Sequence, residues 1–290
     1  MKSLEELKNK YEEIEIPAEL EERVKQSVGR AKKRPGRRQP LKRWTISAAA
    51  AAALFVGSVN VSPGFARTFD NIPVLGSIVQ VLTGERFTLE ETTYHADLKT
   101  PEIQGLTNTD LQNSLNEQYL AENKALYEKF KEETGLLEKA GGGHAGIDTG
   151  YEVLTDTDQL LSIGRYEEVT AASAATMMHY DTIDKENGIL LTLPSLFKDA
   201  GYVAVISDYL KAEMKRQMAH DDSLVYFIDG DDTADFRQID RDQEFYITAD
   251  HKLVLSFDEY EVAPGYMGVV TFEIPSEILK DQLVGDSYIR

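Results

Sequence analysis

The side chains able to do chemistry are few here, and their spacing excludes most reactions. The histidines are His95, His144, His179, His220 and His251. No two of them stand four apart, and none neighbours a second ligand in a metal-binding pattern, so no catalytic zinc site is expected. The chain has no cysteine, which removes disulfides, thiolate metal sites and Cys nucleophiles. The pairs Glu90-Glu91, Glu132-Glu133 and Glu167-Glu168 are adjacent in sequence. Adjacent residues point to opposite faces of a strand and diverge around a helix, which makes poor catalytic dyads. Asp229-Gly230-Asp231-Asp232 with Asp235 offers hard oxygen ligands for Ca²⁺, but the spacing departs from an EF-hand and lacks its closing glutamate. A solvated acidic loop is the preferred reading, with Ca²⁺ as the alternative. No nucleophile elbow, phosphate-binding loop or dinucleotide fingerprint occurs. No catalytic residue, cofactor or metal is expected.

Recognition chemistry is better represented. In Phe257–Gly268 (FDEYEVAPGYMG), Pro264 and Gly265 interrupt a strand pattern and push Tyr266 and Met267 onto a loop. A rigid loop bearing an aromatic and a thioether is a good protein-binding anchor, because docking orders little that was free. The competing reading folds the Tyr266 ring back onto the core. The stretch Thr170–Ala175 (TAASAA) is small and flat enough for a partner to approach closely.

The elements that position this loop form an α+β pattern. Phe87 and Leu89, then Tyr94, Ala96 and Leu98, alternate as strand residues, with a phase slip suggesting a bulge. A long helix enters through Thr107–Asp110 and stops at Gly141-Gly142-Gly143, with Leu115, Tyr119, Leu126, Phe130 and Leu137 as its buried stripe. Strand character returns at Tyr151–Leu154, Leu160–Thr170 and Thr176–Ile183. A second helix follows Leu193-Pro194 and puts Val203, Ile206, Leu210, Met214 and Met218 on one face. Phe245–Thr248 and Leu253–Phe257 make a hairpin about Ala249-Asp250-His251. Val269–Ile274 ends the sheet, and Pro275 starts a last turn of helix. An antiparallel sheet with two main helices is expected.

Ahead of this domain lies Trp44–Val61 (WTISAAAAAALFVGSVNV), uncharged and at the short end for a transmembrane helix. Nine Lys and Arg fall between Lys25 and Arg43, whereas Arg67 stands alone on the other side until Arg86. That asymmetry predicts a cytoplasmic N-terminus and an external C-terminal domain. Gly64-Phe65-Ala66 has the small-x-small form of a signal-peptidase site, so the span reads as a signal-anchor open to cleavage. A buried Ala-rich helix or a plain secretory signal are the competing readings. Residues 62–83 form a juxtamembrane stretch too apolar for a free linker, with a short docking helix expected after Pro73.

Residues 1–43 carry 13 Lys+Arg against 8 Asp+Glu, and residues 62–290 carry 18 against 42, so the net charges are +5 and −24. Such an outer domain attracts basic proteins and cations and repels nucleic acid. Ser3 with Glu6 forms a capping box, after which Leu4, Leu7, Tyr11 and Ile14 share one helical face. Ile16-Pro17 ends that helix, and Leu20, Val24 and Val28 continue as a second stripe. Two such short stripes cannot enclose a core, so they need a groove on a cytosolic partner or a membrane surface. A disordered tail with nascent helix is the other reading. Ala31–Arg43 is a basic tether suited to topology and anionic lipid.

Four stretches together carry a resemblance: LEELKNKYEEIEIPAELEERV, the span, VSPGFARTFDNIPVLGSIVQVLT and FDEYEVAPGYMG…FEIP. The chain resembles RsiV-like anti-sigma factors of Gram-positive bacteria, whose outer part combines DUF4163 and DUF3298 modules. Tyr260, Ala263, Pro264 and Gly268 match the DUF3298-like signature. The resemblance implies that residues 1–43 sequester an extracytoplasmic-function sigma factor through Leu4, Leu7, Tyr11, Ile14, Leu20, Val24 and Val28. Residues 44–61 would cross the cell membrane once. The domain over 84–290 would bind and inhibit lysozyme through Tyr260, Pro264, Tyr266, Met267 and Ser173. Lysozyme would then expose Gly64, Phe65 and Ala66 to signal peptidase, and an intramembrane protease would release the sigma factor. Here Gly64 stands where the family's cleavage motif has Ala. A membrane-anchored wall-binding protein, or an accessory module of a peptidoglycan-modifying enzyme, is the alternative.

Overall fold

A computed structural model describes residues 79–171, 173–228 and 235–290. The two N-terminal helices, the basic tether, the span 44–61, the Gly64–Ala66 site and the helix after Pro73 lie outside the described residues. So do residues 229–234 of the acidic loop. Among the described residues no helix is long and apolar enough to cross a membrane.

The first sheet has six strands in the order β1 to β6. Strands β1 (Gln80–Glu90) and β2 (Tyr94–Gln104) are antiparallel and joined by a tight turn in which the Glu91 N–H donates to the Tyr94 carbonyl at 2.9 Å. This turn, and not a bulge, causes the phase slip between Leu89 and Tyr94. The actual register shift lies between Thr83 and Arg86.

Helix α1 (Thr109–Lys139) begins at Asn108, whose side chain accepts from the Leu111 N–H at 3.1 Å. At the other end the Gly142 N–H returns to the Leu137 carbonyl at 2.9 Å, with Gly141 and Gly142 both at positive φ. The helix carries the chain back along the sheet, so β3 (Ala145–Asp156) pairs parallel with β2. The expected all-antiparallel sheet is therefore mixed, because a helical crossover returns the chain in the same direction. Leu115, Tyr119 and Phe130 are buried, but Leu137 is 38% exposed. At 31 residues α1 is about 46 Å long, whereas an 11-residue strand such as β2 reaches about 36 Å, so the last turns outrun the sheet. Strands β4 (Leu160–Ala171), β5 (Ser173–Asp184) and β6 (Ile189–Leu191) continue antiparallel.

A second, three-stranded antiparallel sheet holds β7 (Phe245–Ile247), β8 (Leu253–Phe257) and β9 (Val270–Ile274). The strand pattern predicts one continuous sheet; two occur because β7 meets the first sheet through side chains rather than by backbone pairing. The buried hydroxyls of Thr155 and Ser162 donate to the Ile247 carbonyl at 2.8 and 3.1 Å. The rings of Tyr180 and Tyr246 stack at 5.3 Å. Helix α2 (Gly201–His220) buries Ile206, Leu210 and Met214 in the largest core, with Val203 and Met218 partly buried beside them. Leu255, Phe257, Phe272 and Ile274 share that core, which the short α3 (Ser276–Leu279) helps close. Burying such side chains stabilises by roughly 1.5–3 kcal/mol each, so the frame under the β8–β9 loop is stiff.

Candidate protein-binding loop

The loop between β8 and β9 is anchored at its middle. Val262 and Ala263 are buried, and the Phe227 N–H donates to the Val262 carbonyl at 2.8 Å. Ahead of them, Asp258–Glu261 makes a turn with the Glu261 N–H on the Asp258 carbonyl at 3.0 Å and Tyr260 at φ 71°. Beyond them, Pro264 is extended and Gly265–Met267 winds one 3₁₀ turn closed by Gly268 at φ 64°, ψ −153°. That conformation is open to glycine almost alone. A Cβ added at Gly265 would collide with the Tyr260 ring, so the absent side chain is what lets that ring rest on the turn.

Two aromatic rings thereby face solvent on one rigid loop. Tyr260 is 52% and Tyr266 69% exposed. The Tyr266 hydroxyl donates to the Ser223 carbonyl at 2.9 Å, so the ring is pinned at its tip and does not fold back onto the core. Met267 behaves otherwise. Its thioether accepts from the Val225 N–H at 3.4 Å and its side chain packs against the core. It serves as the foot of the loop.

Ser173 stands exposed at the β4–β5 hairpin, where Ala171 pairs with Ser173. The same strand meets the loop three residues further on. The Glu259 N–H donates to the Thr176 carbonyl at 3.2 Å, and the Thr176 N–H donates back to the Glu259 carboxylate at 3.0 Å. Asp258 accepts from the Met178 N–H, and Glu244 from the Tyr180 N–H, both at 2.8 Å. Glu244 also lies 3.1 Å from Nδ1 of His179, a hydrogen bond that raises the His179 pKa. Burial raises the Asp258 pKa, while the Met178 N–H pulls it down. Sequence reasoning placed Tyr260, Pro264, Tyr266 and Met267 together and left Ser173 apart; the structure joins the loop to the strand that carries Ser173. It missed the carboxylates: Asp258 and Glu259 carried no signal beyond their place at the start of the loop, and Glu244, ahead of β7, carried none.

A second feature was also not anticipated. A cleft of about 340 Å³ opens between α1 and the sheet, lined in part by Tyr119, Glu122, Arg165, Tyr166 and His179. The Arg165 guanidinium donates to Glu122 at 2.7 Å and to Asp181 at 3.2 Å, and lies 4.4 Å from the Tyr119 ring centroid. Tyr119 in turn donates to Asp181 at 2.9 Å, and burial raises its pKa, keeping it a neutral donor. These groups bind each other and so lock α1 onto β4 and β5. Elsewhere His95 lies 2.8 Å from Glu90 and 3.3 Å from Asp148, and His251 approaches the Tyr288 carbonyl at 3.1 Å. Among the described residues no group of three His, Asp or Glu is placed to hold a metal ion.

Residues 194–277 match the protein family of unknown function DUF3298, and residues 36–208 match the domain of unknown function DUF4179. The first match covers the loop; the second, DUF4179, covers the region where the resemblance implied a DUF4163 module. The chain is 46% identical to the anti-sigma-V factor RsiV of Bacillus subtilis (strain 168), with 100% of this chain and 99% of that protein aligned. A crystal structure of a DUF3298 family member from Bacteroides fragilis superposes with a TM-score of 0.53 at 16% identity, covering 72% of this chain and 95% of that one. At that identity the likeness speaks for the fold alone.

Proposed function

The chain belongs to the RsiV family of anti-sigma factors, and we propose that it is a single-pass membrane regulator joining an internal grip on a sigma factor to an external lysozyme sensor. In this reading the stripe of Leu4, Leu7, Tyr11, Ile14, Leu20, Val24 and Val28 lies in a groove of an extracytoplasmic-function sigma factor. The basic flank of residues 25–43 holds that segment in the cytoplasm while residues 44–61 cross the bilayer. The domain beyond binds and inhibits lysozyme. Binding exposes Gly64-Phe65-Ala66 to signal peptidase, and an intramembrane protease completes release.

The observation that carries the outward half is the Tyr260–Tyr266 pair, exposed on a loop whose backbone is already fixed. Aromatic anchors presented without ordering cost are the usual centres of protein interfaces. The net charge of −24 over residues 62–290 supports attraction of a basic partner such as lysozyme. Regulation, not catalysis, is the role this reading assigns.

The test uses cells carrying the full chain tagged at both ends. Lysozyme is expected to convert it to two tagged fragments, the C-terminal one beginning just after Ala66 and the N-terminal one ending within residues 44–61, and before lysozyme is added the N-terminal tag is expected to co-purify a sigma factor. An intact chain after lysozyme addition would end the sensing proposal, and co-purification without a sigma factor would end the sequestration proposal. Retention on purified wall polymer, with no affinity for lysozyme, would favour the wall-binding alternative.

A further inference from the structure

Strand β5 is long and only partly covered. Its partner β6 pairs with Thr182, Ile183 and Asp184 and goes no further. The outward N–H groups of Thr176, Met178 and Tyr180 therefore lie on a bare edge, two residues apart as strand geometry requires. A bare edge of this kind invites pairing with another chain. Here each of the three N–H groups instead ends on a carboxylate, those of Glu259, Asp258 and Glu244.

The order of these contacts is informative. Asp258 reaches Met178 and Glu259 reaches Thr176, so the loop runs antiparallel to β5 and uses side chains where a strand would use carbonyls. The Glu259 N–H adds one true backbone bond to the Thr176 carbonyl. A carboxylate oxygen is a stronger acceptor for a backbone N–H than a neutral carbonyl. They come immediately before Tyr260, where the backbone turns through φ 71° and leaves the edge. The start of the loop is thus registered against the strand that carries Ser173, three residues from Thr176.

We propose that Asp258 and Glu259 are positioning residues, whose carboxylates fasten the loop to β5 and so hold Tyr260 and Tyr266 in register with Ser173 as one binding surface. The inference rests on the lysozyme reading for its ligand, and on the hydrogen bonds alone for its geometry. The rival explanation is that these acids touch a basic ligand directly, which charge alone makes reasonable.

Substitutions separate the two. Asp258→Asn and Glu259→Gln keep an acceptor oxygen and remove the charge; Asp258→Ala and Glu259→Ala remove both. The full chain in detergent, grown with 3-fluorotyrosine, is read by lysozyme calorimetry, by ¹⁹F resonances of Tyr260 and Tyr266, and by amide exchange at Thr176 and Met178. The alanine variants are expected to exchange faster at those amides, shift both fluorine resonances and bind at least ~10-fold more weakly, while the amide variants stay near wild type. Equal losses in amide and alanine variants, with slow exchange and unmoved resonances, would make the acids ligand contacts and overturn the proposal. Alanine variants that leave both resonances in place would overturn it as well. If the wild-type chain itself ignores lysozyme, the lysozyme reading fails, and positioning is decided on the fluorine and exchange data.

Discussion

The Tyr266 hydroxyl donates to the Ser223 carbonyl at 2.9 Å while 69% of the residue stays exposed. Both ends of the side chain are thereby fixed: the backbone in a 3₁₀ turn, the phenol on the segment that follows α2. A ring held this way meets a partner without first being ordered, which separates its value for binding from its value for stability.

Replacement of Tyr266 by alanine is therefore expected to weaken lysozyme binding by roughly 30-fold or more, in the range of interface hot spots. Tyr266→Phe, which loses only the bond to Ser223, is expected to fall between the two. Neither should lower the melting temperature by more than about 2–4 °C, the equivalent of about 1 kcal/mol. Calorimetric titration and thermal melting check this, and unchanged affinity in both variants would remove Tyr266 from the interface.

Gly265→Ala and Gly268→Ala are expected to behave differently. The atoms nearest a new Cβ at Gly265 all belong to the Tyr260 ring, which is half exposed and can swing away, so stability is expected to change little while binding through Tyr260 is lost. At Gly268 the backbone itself excludes a side chain, so the cost is about 1–3 kcal/mol of stability. Urea unfolding of both variants shows the difference; equal destabilisation would contradict it.

Arg165→Met is expected to cost about 3–5 kcal/mol, because Asp181 and Tyr119 lose the cation around which they are arranged. At 2–4 °C per kcal/mol this is a fall in melting temperature of roughly 10 °C. Adding Asp181→Asn should restore part of the loss. A double variant no better than the single would mean that the charge balance around Arg165 is not what matters.

Glu152, half-buried on β3 opposite Gly164, titrates at about 7 because burial penalises its charged form. A carboxyl raised on folding stabilises while protonated. Its contribution is complete below the ordinary value of 4.5 and is lost as pH rises through about 7. Glu152→Gln is therefore expected to raise the melting temperature at pH 8 by roughly 2–4 °C, after allowance for solvent screening, and to leave it unchanged at pH 4. Stabilisation of the same size at both pH values would rule out titration as the cause.

Much of this arrangement is legible from spacing. The alternation of Tyr94, Ala96 and Leu98, the stripe of Leu115, Tyr119 and Phe130, and the face of Ile206, Leu210 and Met214 each report a local period. The buried side chains fall where that period puts them. Pro264 and Gly265 mark the loop, because their backbone constraints act within one or two residues. Amphipathic stripes, a charge step across an uncharged stretch and turn residues all follow from the order of the amino acids.

Pairing and partnership do not. The sequence has no means to show that β3 lies parallel to β2, since the choice depends on where a 31-residue helix sets the chain down. Nor does it show that Asp258, Glu259 and Glu244 serve the amides of Met178, Thr176 and Tyr180, partners 64 to 83 residues away. An acid beside a loop reads the same whether it faces water or caps a strand. Local constraints determined the elements and marked the loop; only the tertiary structure decided that Tyr260 and Tyr266 stay exposed and which distant backbone those carboxylates hold. A hydrogen bond needs its two atoms brought within about 3 Å, and that distance is set by the packing of the whole core.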